Sequence, residues 1–482
     1  MILTQEQELL KAQKLFGALA AYAGEAAAEG RRIDEVEREL FRRLLEVGRA
    51  LLAAFVAAHG TGDEGPAHTD AAGRTWRRLA RPRRRRYVSA FGELKLERFA
   101  YGTREGQKVT AVPLDRRLGL PAGQFSYLLE DWAQRMCLGG SFREAAGSLE
   151  ALLGLRPGVR SLEGMNRRLA RHAEPFRQGQ PAPPEAPEGH LLVVTADGKG
   201  VPVRRPPGAP RPPRRLGPGQ KAAKKRMAYV GAVYDVAPLA RTAGDVAGEV
   251  RRGPPRRRPA PAHKRLWAEM TPEGERNTGR AALFRRLAAE AAARDPRRRR
   301  RVVCLLDGER WLWEQQRAAF PEAVGVLDVF HVLEHLWRVA RCFHPEGSAA
   351  AERFVASRLR RLLEGGAAGV IAGLRRARGR RGLSAYKRQV LRGAAGYPGN
   401  NREHLRYDEY LRAGYPIGSG VAEGACRHLV KDRMGRAGMR WTAAGARAML
   451  ALRAIYLNGD WEGFLEHRVG EEQAELYGPR AA

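Results

Sequence analysis

Arg301-Val-Val-Cys-Leu-Leu-Asp-Gly-Glu-Arg-Trp-Leu-Trp313 and, ten residues on, Ala323-Val-Gly-Val-Leu-Asp-Val-Phe-His-Val-Leu-Glu-His-Leu-Trp337 decide how this chain is read. Val302–Leu306 is a short, wholly apolar run that stops at Asp307-Gly308. Glu309–Phe320 then reads as a helix, and Ala323–Leu327 is a second short run, stopping at Asp328. Val329–Phe343 is a second helix. Apolar runs too short to be helices, alternating with helical segments, predict an α/β layer. Upstream, His190–Ala196 repeats the pattern and stops at Asp197-Gly-Lys-Gly, and Met227–Val236 is a fourth strand. Residues 279–294 form the helix between. Three strands thus end in Asp, at the carboxyl tips where open α/β sheets place their functional groups.

Working outward, residues 177–189 are rich in Pro and mark a domain boundary. Before it, 1–60 is an N-terminal helical region. Ile33, Val36, Leu40, Leu44, Val47, Leu51 and Phe55 recur at spacings of three and four, and Asp34 with Glu37 offers a capping pair. A packing helix explains this better than a coiled coil, because the pattern lasts barely three heptads. Residues 75–176 form a second region. Arg81 and Arg83–Arg86 lead into Tyr87–Tyr101, which alternates around a Gly turn, so a small basic β-hairpin is predicted. Ser141–Leu153 and Ser161–His172, joined by a Gly/Pro turn, are compatible with helix-turn-helix and equally with an ordinary helical hairpin. After the α/β stretch come basic helices over 346–412, helices within 413–466 and a tail at 467–482.

The chain has 482 residues, enough for about three domains. Lys+Arg number 86 against 53 Asp+Glu, a formal +33, which points away from an ordinary small-molecule enzyme and towards a polyanion, most often nucleic acid. All but 11 of the 86 are Arg, which suits bidentate phosphate binding and also a GC-rich genome. Residues 204–265 alone carry +14, and Arg297–Arg301 is a run of five. Cys137, Cys304, Cys342 and Cys426 form no CxxC pair, against both a zinc ribbon and a disulfide framework. The longest apolar runs, such as Leu51–Ala58, are too short to span a bilayer. No basic stretch leads into an apolar one at the N-terminus, so a cytoplasmic, nucleoid-associated protein is expected.

Three constellations carry chemistry. Asp197, Asp307 and Glu423 are two acids at strand ends and one in the first turn of a helix after Gly418-Ser-Gly420. Such a set offers oxygen ligands to hard divalent cations and suits two-metal work at a phosphodiester. His331-Val-Leu-Glu334-His335 matches the inverted-zincin pattern, which would make a metalloprotease, but a match this short is common and no third ligand motif follows. On the helix from Gly420, Glu423, Arg427 and Lys431 are spaced four apart with His428 beside them, and Gly435–Trp441 adds basic groups and an aromatic suited to strand contact.

Ala196-Asp197-Gly-Lys-Gly-Val-Pro202, Asp307-Gly-Glu-Arg-Trp-Leu-Trp313, Leu327-Asp328-Val-Phe-His331-Val-Leu-Glu-His-Leu-Trp337, the long Pro416–Trp441 motif and the closing Ala448–Trp461 together resemble the bacterial insertion-sequence transposases of the Kra-four family, distant relatives of the Mutator-type transposases. The likeness runs from about residue 75 to 466 and includes Pro113–Pro121. It implies an α/β RNase H-like catalytic core over 190–345 and 413–466 with a helical insertion at 346–412, preceded by a mainly helical N-terminal region with a small basic β-hairpin. It implies DDE chemistry with Mg²⁺, or Mn²⁺, held by Asp197, Asp307 and Glu423, with Asp328 as the alternative second acid. Its partners would be double-stranded DNA, namely terminal inverted repeats and target, bound by a homo-oligomer. Arg83, Arg84, Arg85, Arg86, Lys199, Arg427, His428, Lys431, Arg433 and Arg440 are the expected DNA contacts, with His331 and Trp441 as motif support. An RNase H-like nuclease without strand transfer, or a catalytically inactive DNA-binding relative, would share these residues. The Pro/Arg-rich 204–225 stretch departs from the family's pattern.

Overall fold

The structure, a computed structural model, describes residues 4–70, 73–103, 111–204, 225–250, 258–436 and 438–478. The chain divides into two compact units, Met1–Gln178 with Trp461–Ala482, and Gly179–Asp460. The loop expected over 204–225, and residues 251–257 of the basic stretch, lie outside the described residues apart from Arg204 and Lys225.

The first unit opens with α1 (Gln5–Ala28) and α2 (Ile33–Ala58). Thr4 and Gln7 form a capping box on α1. No side chain caps α2: its N-cap is Arg32, and Asp34, inside the first turn, instead binds the Arg32 guanidinium at 2.7 and 2.9 Å. The expected Asp34/Glu37 cap is therefore two residues too late. The helices fold together, with Arg43 lying 4.2 Å over the Tyr22 ring. Next come β1 (Ala67–Thr69), β2 (Thr75–Arg78), β3 (Arg83–Ser89), β4 (Gly92–Arg98) and β5 (Tyr101–Gly102). They form an antiparallel β1-β2-β5 sheet and a β3-β4 hairpin. Gly92 closes the hairpin at φ 120°, a conformation open to glycine.

Strand alternation divides the arginine run. Arg83, Arg84 and Arg86 are exposed, the last two pairing with Glu97 and Glu93. Arg85 points inward, where it and Arg98 share the buried Asp115, and Arg85 also donates to the Gly123 carbonyl at 2.7 Å. The expected DNA contact at Arg85 is thus corrected to a structural ion pair. Arg85→Ala should lower unfolding stability by about 3 kcal/mol, because it removes one of the two cations on Asp115. Arg84→Ala should leave the denaturation midpoint unchanged and reduce the salt dependence of DNA binding by about one charge. Chemical denaturation and binding titrations at several salt concentrations separate the two.

Helices Tyr127–Gly139, Phe142–Leu153 and Val159–Leu169 follow, the first two capped by Ser126 and Ser141. Gly154, at φ 65°, ends the second in the left-handed conformation. Arg156, Arg160, Arg167 and Arg171 are exposed in and around the third. The helix Trp461–Tyr477 belongs to this unit, whereas the expected boundaries put residues 461–466 with the α/β region and the rest in the tail. Trp461 is buried and donates to Asp131 at 2.8 Å, Arg468 pairs with Glu130 and Glu472, and Glu472 accepts from the Ala122 amide.

The second unit is built on β6 (Leu191–Pro202), β7 (Lys225–Val236), β8 (Ala262–Met270), β9 (Val302–Leu306) and β10 (Val324–Leu327), in spatial order β10-β9-β6-β7-β8. β6, β9 and β10 are parallel, while β7 and β8 run antiparallel to their neighbours. β8 is a strand the sequence did not announce, being embedded in the Pro/Arg-rich stretch. The residues of β9 after Val302 are fully buried, and much of β6 and β7 is too, which explains their unalternating apolar sequence. Arg300, within the run of five, is also structural: it pairs with buried Asp235 at 2.6 Å, beside Arg294 and His263. Residues 346–412 form helices Ala349–Leu363, Ala367–Arg378, Ala385–Asn400 and Tyr407–Arg412, whose apolar faces join the core beside the sheet.

Candidate active site

Register places three acids in a row. Ala196 pairs with Leu306, and Leu306 with Leu327. One residue further along three adjacent parallel strands stand Asp197, Asp307 and Asp328. Neighbouring strands lie about 4.8 Å apart, so the row is compact by construction. β6 does not stop at Asp197, as expected from sequence. It runs on to Pro202 because β7 pairs with all twelve of its residues. Asp197 therefore sits where the parallel neighbour ends and the antiparallel one continues.

The three acids differ in environment. Asp197 and Asp307 are part-exposed, each accepting a hydrogen bond from the amide of its own following glycine. Asp328 is 0% exposed and its oxygens are engaged. Its Oδ1 accepts from the Phe330 amide at 2.8 Å as N-cap of the Val329–Phe343 helix. Its Oδ2 accepts from the Ser419 amide at 3.3 Å and the Ser419 hydroxyl, and stands 3.3 Å from His331 Nδ1. Such a carboxylate holds a helix end and the Gly418-Ser-Gly420 loop together and leaves no face for a ligand.

His331 lies between two acids, with Nε2 3.9 Å from Asp307. Its hydrogen bond with Asp328 and the charges of both aspartates push its pKa up to about 9. The H-x-x-E-H histidines do not converge on one point: His335 instead stacks on Tyr397, with ring centroids 4.4 Å apart, and its pKa is lowered by burial. Glu334 is exposed and pairs with Arg338.

The segment carrying Glu423 is a helix, Gly420–Ala425, that passes into a π-helical turn, Cys426–Lys431. It packs against β6 and β7. Burial, and then the adjacent Asp197 carboxylate, push the Cys426 thiol well above its usual pKa, so this cysteine stays protonated against the acid. Glu423, exposed, precedes Cys426 by one turn. Among the described residues no three His, Cys, Asp or Glu side chains stand close enough together to hold a metal ion. Mg²⁺ takes one or two carboxylates and fills its shell with water and phosphate oxygens; Asp197 and Asp307, part-exposed at the same level of adjacent strands, are two carboxylates that could serve it.

The π turn changes the expected basic stripe. Its wider winding breaks the four-residue spacing, so Arg427 and Lys431 no longer continue one straight face with Glu423. Arg427 and His428 both face Asp432, at 3.8 and 3.0 Å. Lys199, Arg427, His428, Lys431 and Arg440 are exposed. Arg433 and Trp441 are not. Arg433 is buried 4.8 Å from the Trp441 ring, and Trp441 bridges to Val203 through backbone bonds with Pro202 and Arg204. The expected DNA contact at Arg433 is thus corrected to a buried packing role, and Trp441, expected as motif support, ties the motif to the end of β6.

Sequence reasoning missed the clamp supplied by the insertion. Tyr397 donates to Asp307 Oδ1 at 2.9 Å and accepts from the Gly308 amide at 3.2 Å. Burial and the Asp307 charge push the Tyr397 phenol up, so it remains a donor. Asn401 accepts from Trp313 Nε1 at 2.6 Å and donates to the Gly308 carbonyl. His404 stacks on Trp313 at 3.6 Å, and Tyr407 and Tyr410 donate to the carbonyls of Leu327 and Gly325. The signal was present: of 13 tyrosines in the chain, four fall between 397 and 415, inside an otherwise Arg-rich block.

No protein-family model matches the chain, and no curated protein matches it. No helix among the described residues is long and apolar enough to cross a membrane.

Proposed function

We propose that this chain is a metal-dependent DNA transposase of the DDE type, which cuts the ends of its insertion sequence and transfers the 3′ ends to target DNA. The observation that carries the reading is the pairing of Asp197 and Asp307 on adjacent parallel strands, with the helix bearing Glu423 packed against the first. It is the placement that the resemblance leads one to expect: first acid on the first strand of the sheet, second after the fourth, glutamate on a late helix. The +33 charge and the exposed Arg83, Arg84, Arg86, Lys199, Lys431 and Arg440 fit a phosphate backbone.

Asp197 and Asp307 would hold Mg²⁺, with Glu423 completing a second position, and the bound ions supply charge stabilisation and an activated water or 3′-hydroxyl at the phosphodiester. Tyr397 orients the Asp307 carboxylate, and protonated His331 balances the acids between which it lies. The exposed cations align the strand without reading its sequence.

The test is an assay on DNA carrying the sequences that flank the gene, in Mg²⁺ and in Mn²⁺, scored separately for cut and for joined product. Joined product supports transposition; cut product without joined product replaces the transposase reading with a nuclease, and the absence of both products overturns metal-dependent cleavage altogether. Tyr397→Phe keeps the stack on His335 and loses one hydroxyl. It should slow the reaction about 10–100-fold, as loss of a partner that orients a metal ligand does, with circular dichroism unchanged.

A further inference from the structure

Behind the loop that holds Asp328, the second unit has a cavity of about 310 Å³ that the catalytic reading does not use. Pockets for small ligands begin at about this volume. Ile417 and Gly418 form one wall, and Ser419, next in sequence, donates to the Asp328 carboxylate. Phe330, whose amide donates to the same carboxylate at 2.8 Å, forms another. Its ring rests on Gly418, where a Cβ would lie 2.5 Å from it, and is still 41% exposed. Two residues of chain put the Phe330 Cα within about 7 Å of the Asp328 Cα, and Asp328 is one strand spacing, about 4.8 Å, from Asp307. The other walls come from the chain after β7 and the short helix Ala243–Val250. They are largely apolar but carry Arg241 and Glu249. Arg241 is half-buried, its Nε has no hydrogen-bond partner among the described residues, and burial lowers the pKa of the guanidinium. The Glu249 side chain is 9% exposed; one oxygen takes Arg258, and the other, Oε1, is buried with no partner among the described residues. A buried donor and a buried acceptor left open are costly, and a ligand that meets both recovers the cost.

The lining selects the ligand. A guanidinium only donates and a carboxylate only accepts, so the ligand must carry acceptors on one edge and donors on another. Apolar walls with a part-open ring call for a flat face between those edges. Guanine has all three: O6 and N7 accept, N1–H and the 2-amino group donate, and the ring stacks. Thymine has no amino group to offer a carboxylate. We propose that this cavity takes an unstacked guanine of the DNA strand held at the acids, with its ring against Phe330, its O6 and N7 edge at Arg241 and its N1 and 2-amino edge at Glu249. The site rests on the reading of the chain as a protein that acts on DNA. It gives the catalytic unit a base preference of its own, where the exposed cations have none.

The test uses the full chain in EDTA, so that nothing is cut, titrated by fluorescence anisotropy with single-stranded oligothymidylate that carries either one central guanosine or thymidine throughout. The guanosine strand should bind about tenfold more tightly, the discrimination of one good bidentate pair. Inosine, which lacks the 2-amino group, and 7-deazaguanosine, which lacks N7, should each lose most of that preference, and both leave the protein untouched. Arg241→Gln should bind the two strands equally, near the wild-type affinity for the thymidine strand. Free dGMP should compete only weakly, having no strand contacts to add. Equal wild-type affinity for the two strands, a preference that survives Arg241→Gln, or dGMP bound as tightly as the guanosine strand would overturn the proposal, the last by making this a free-nucleotide site. Neither metal nor cutting enters the measurement. A guanine preference in a chain that fails the cleavage assay would therefore remove the catalytic reading and keep this site, and equal affinities in a chain that cuts would remove this site alone.

Discussion

Asp197→Asn should abolish both cutting and joining of element ends in Mg²⁺, a fall of about a thousandfold or more, while leaving DNA affinity within a factor of a few. The substitution keeps the shape of the side chain and the hydrogen bond from Gly198, so the strand is undisturbed. It removes the negative charge that would hold the ion against its neighbour Asp307. A bound ion contributes several kcal/mol at the phosphodiester, and each 1.36 kcal/mol is tenfold in rate. Gel assays of cleavage, with filter binding on the same preparation, decide it. Wild-type rates in Asp197→Asn would remove the basis of the proposed function.

Asp328→Ala should act in the opposite way, unfolding the second unit more easily by about 3–5 kcal/mol and lowering its melting temperature by about 10 °C. Alanine leaves the Phe330 amide, the Ser419 amide and hydroxyl, and cationic His331 without their shared acceptor in a site closed to water. The loss is concentrated where the Val329–Phe343 helix and the Gly418-Ser-Gly420 loop meet. Calorimetry measures it directly. If Asp328→Ala melted like wild type yet were inactive, Asp328 and not Asp307 would be the second acid.

The α/β alternation was legible because strands buried on both faces read as short unbroken apolar runs, and an Asp followed two of them, β9 and β10, and marked the level of their ends on β6. Their adjacency was not legible, since register is set by pairing and not by any one segment. β8 was hidden because its sequence, Ala262–Met270, carries His263 and Lys264 at exposed positions and a half-buried Arg265 beside them. Arg85 and Arg433 were misassigned for a common reason, while Trp441, expected as motif support, holds its motif from inside the core. The guanidinium fork that grips a phosphate grips a buried carboxylate equally well, and the indole that stacks on a base also fills a core. Residues 461–466 were read as continuing the preceding motif, yet Gly459, at φ 83°, and Asp460 break the chain, and Trp461 starts an element of the other unit.

The bond from Tyr397 to Asp307 spans 90 residues of sequence. At ribosomal speeds of roughly 5–20 residues per second, β9 waits on the order of 5–20 seconds after synthesis before the residue that steadies its tip exists. Asn401, Tyr407 and Tyr410 arrive later still. A nascent chain therefore carries its acid-bearing strands through a long interval with their ends unclamped and apolar surface open. Copies of the gene with internal deletions between residues 346 and 412 would never leave that interval. They would yield a product recognised by quality-control proteases, and not a smaller enzyme.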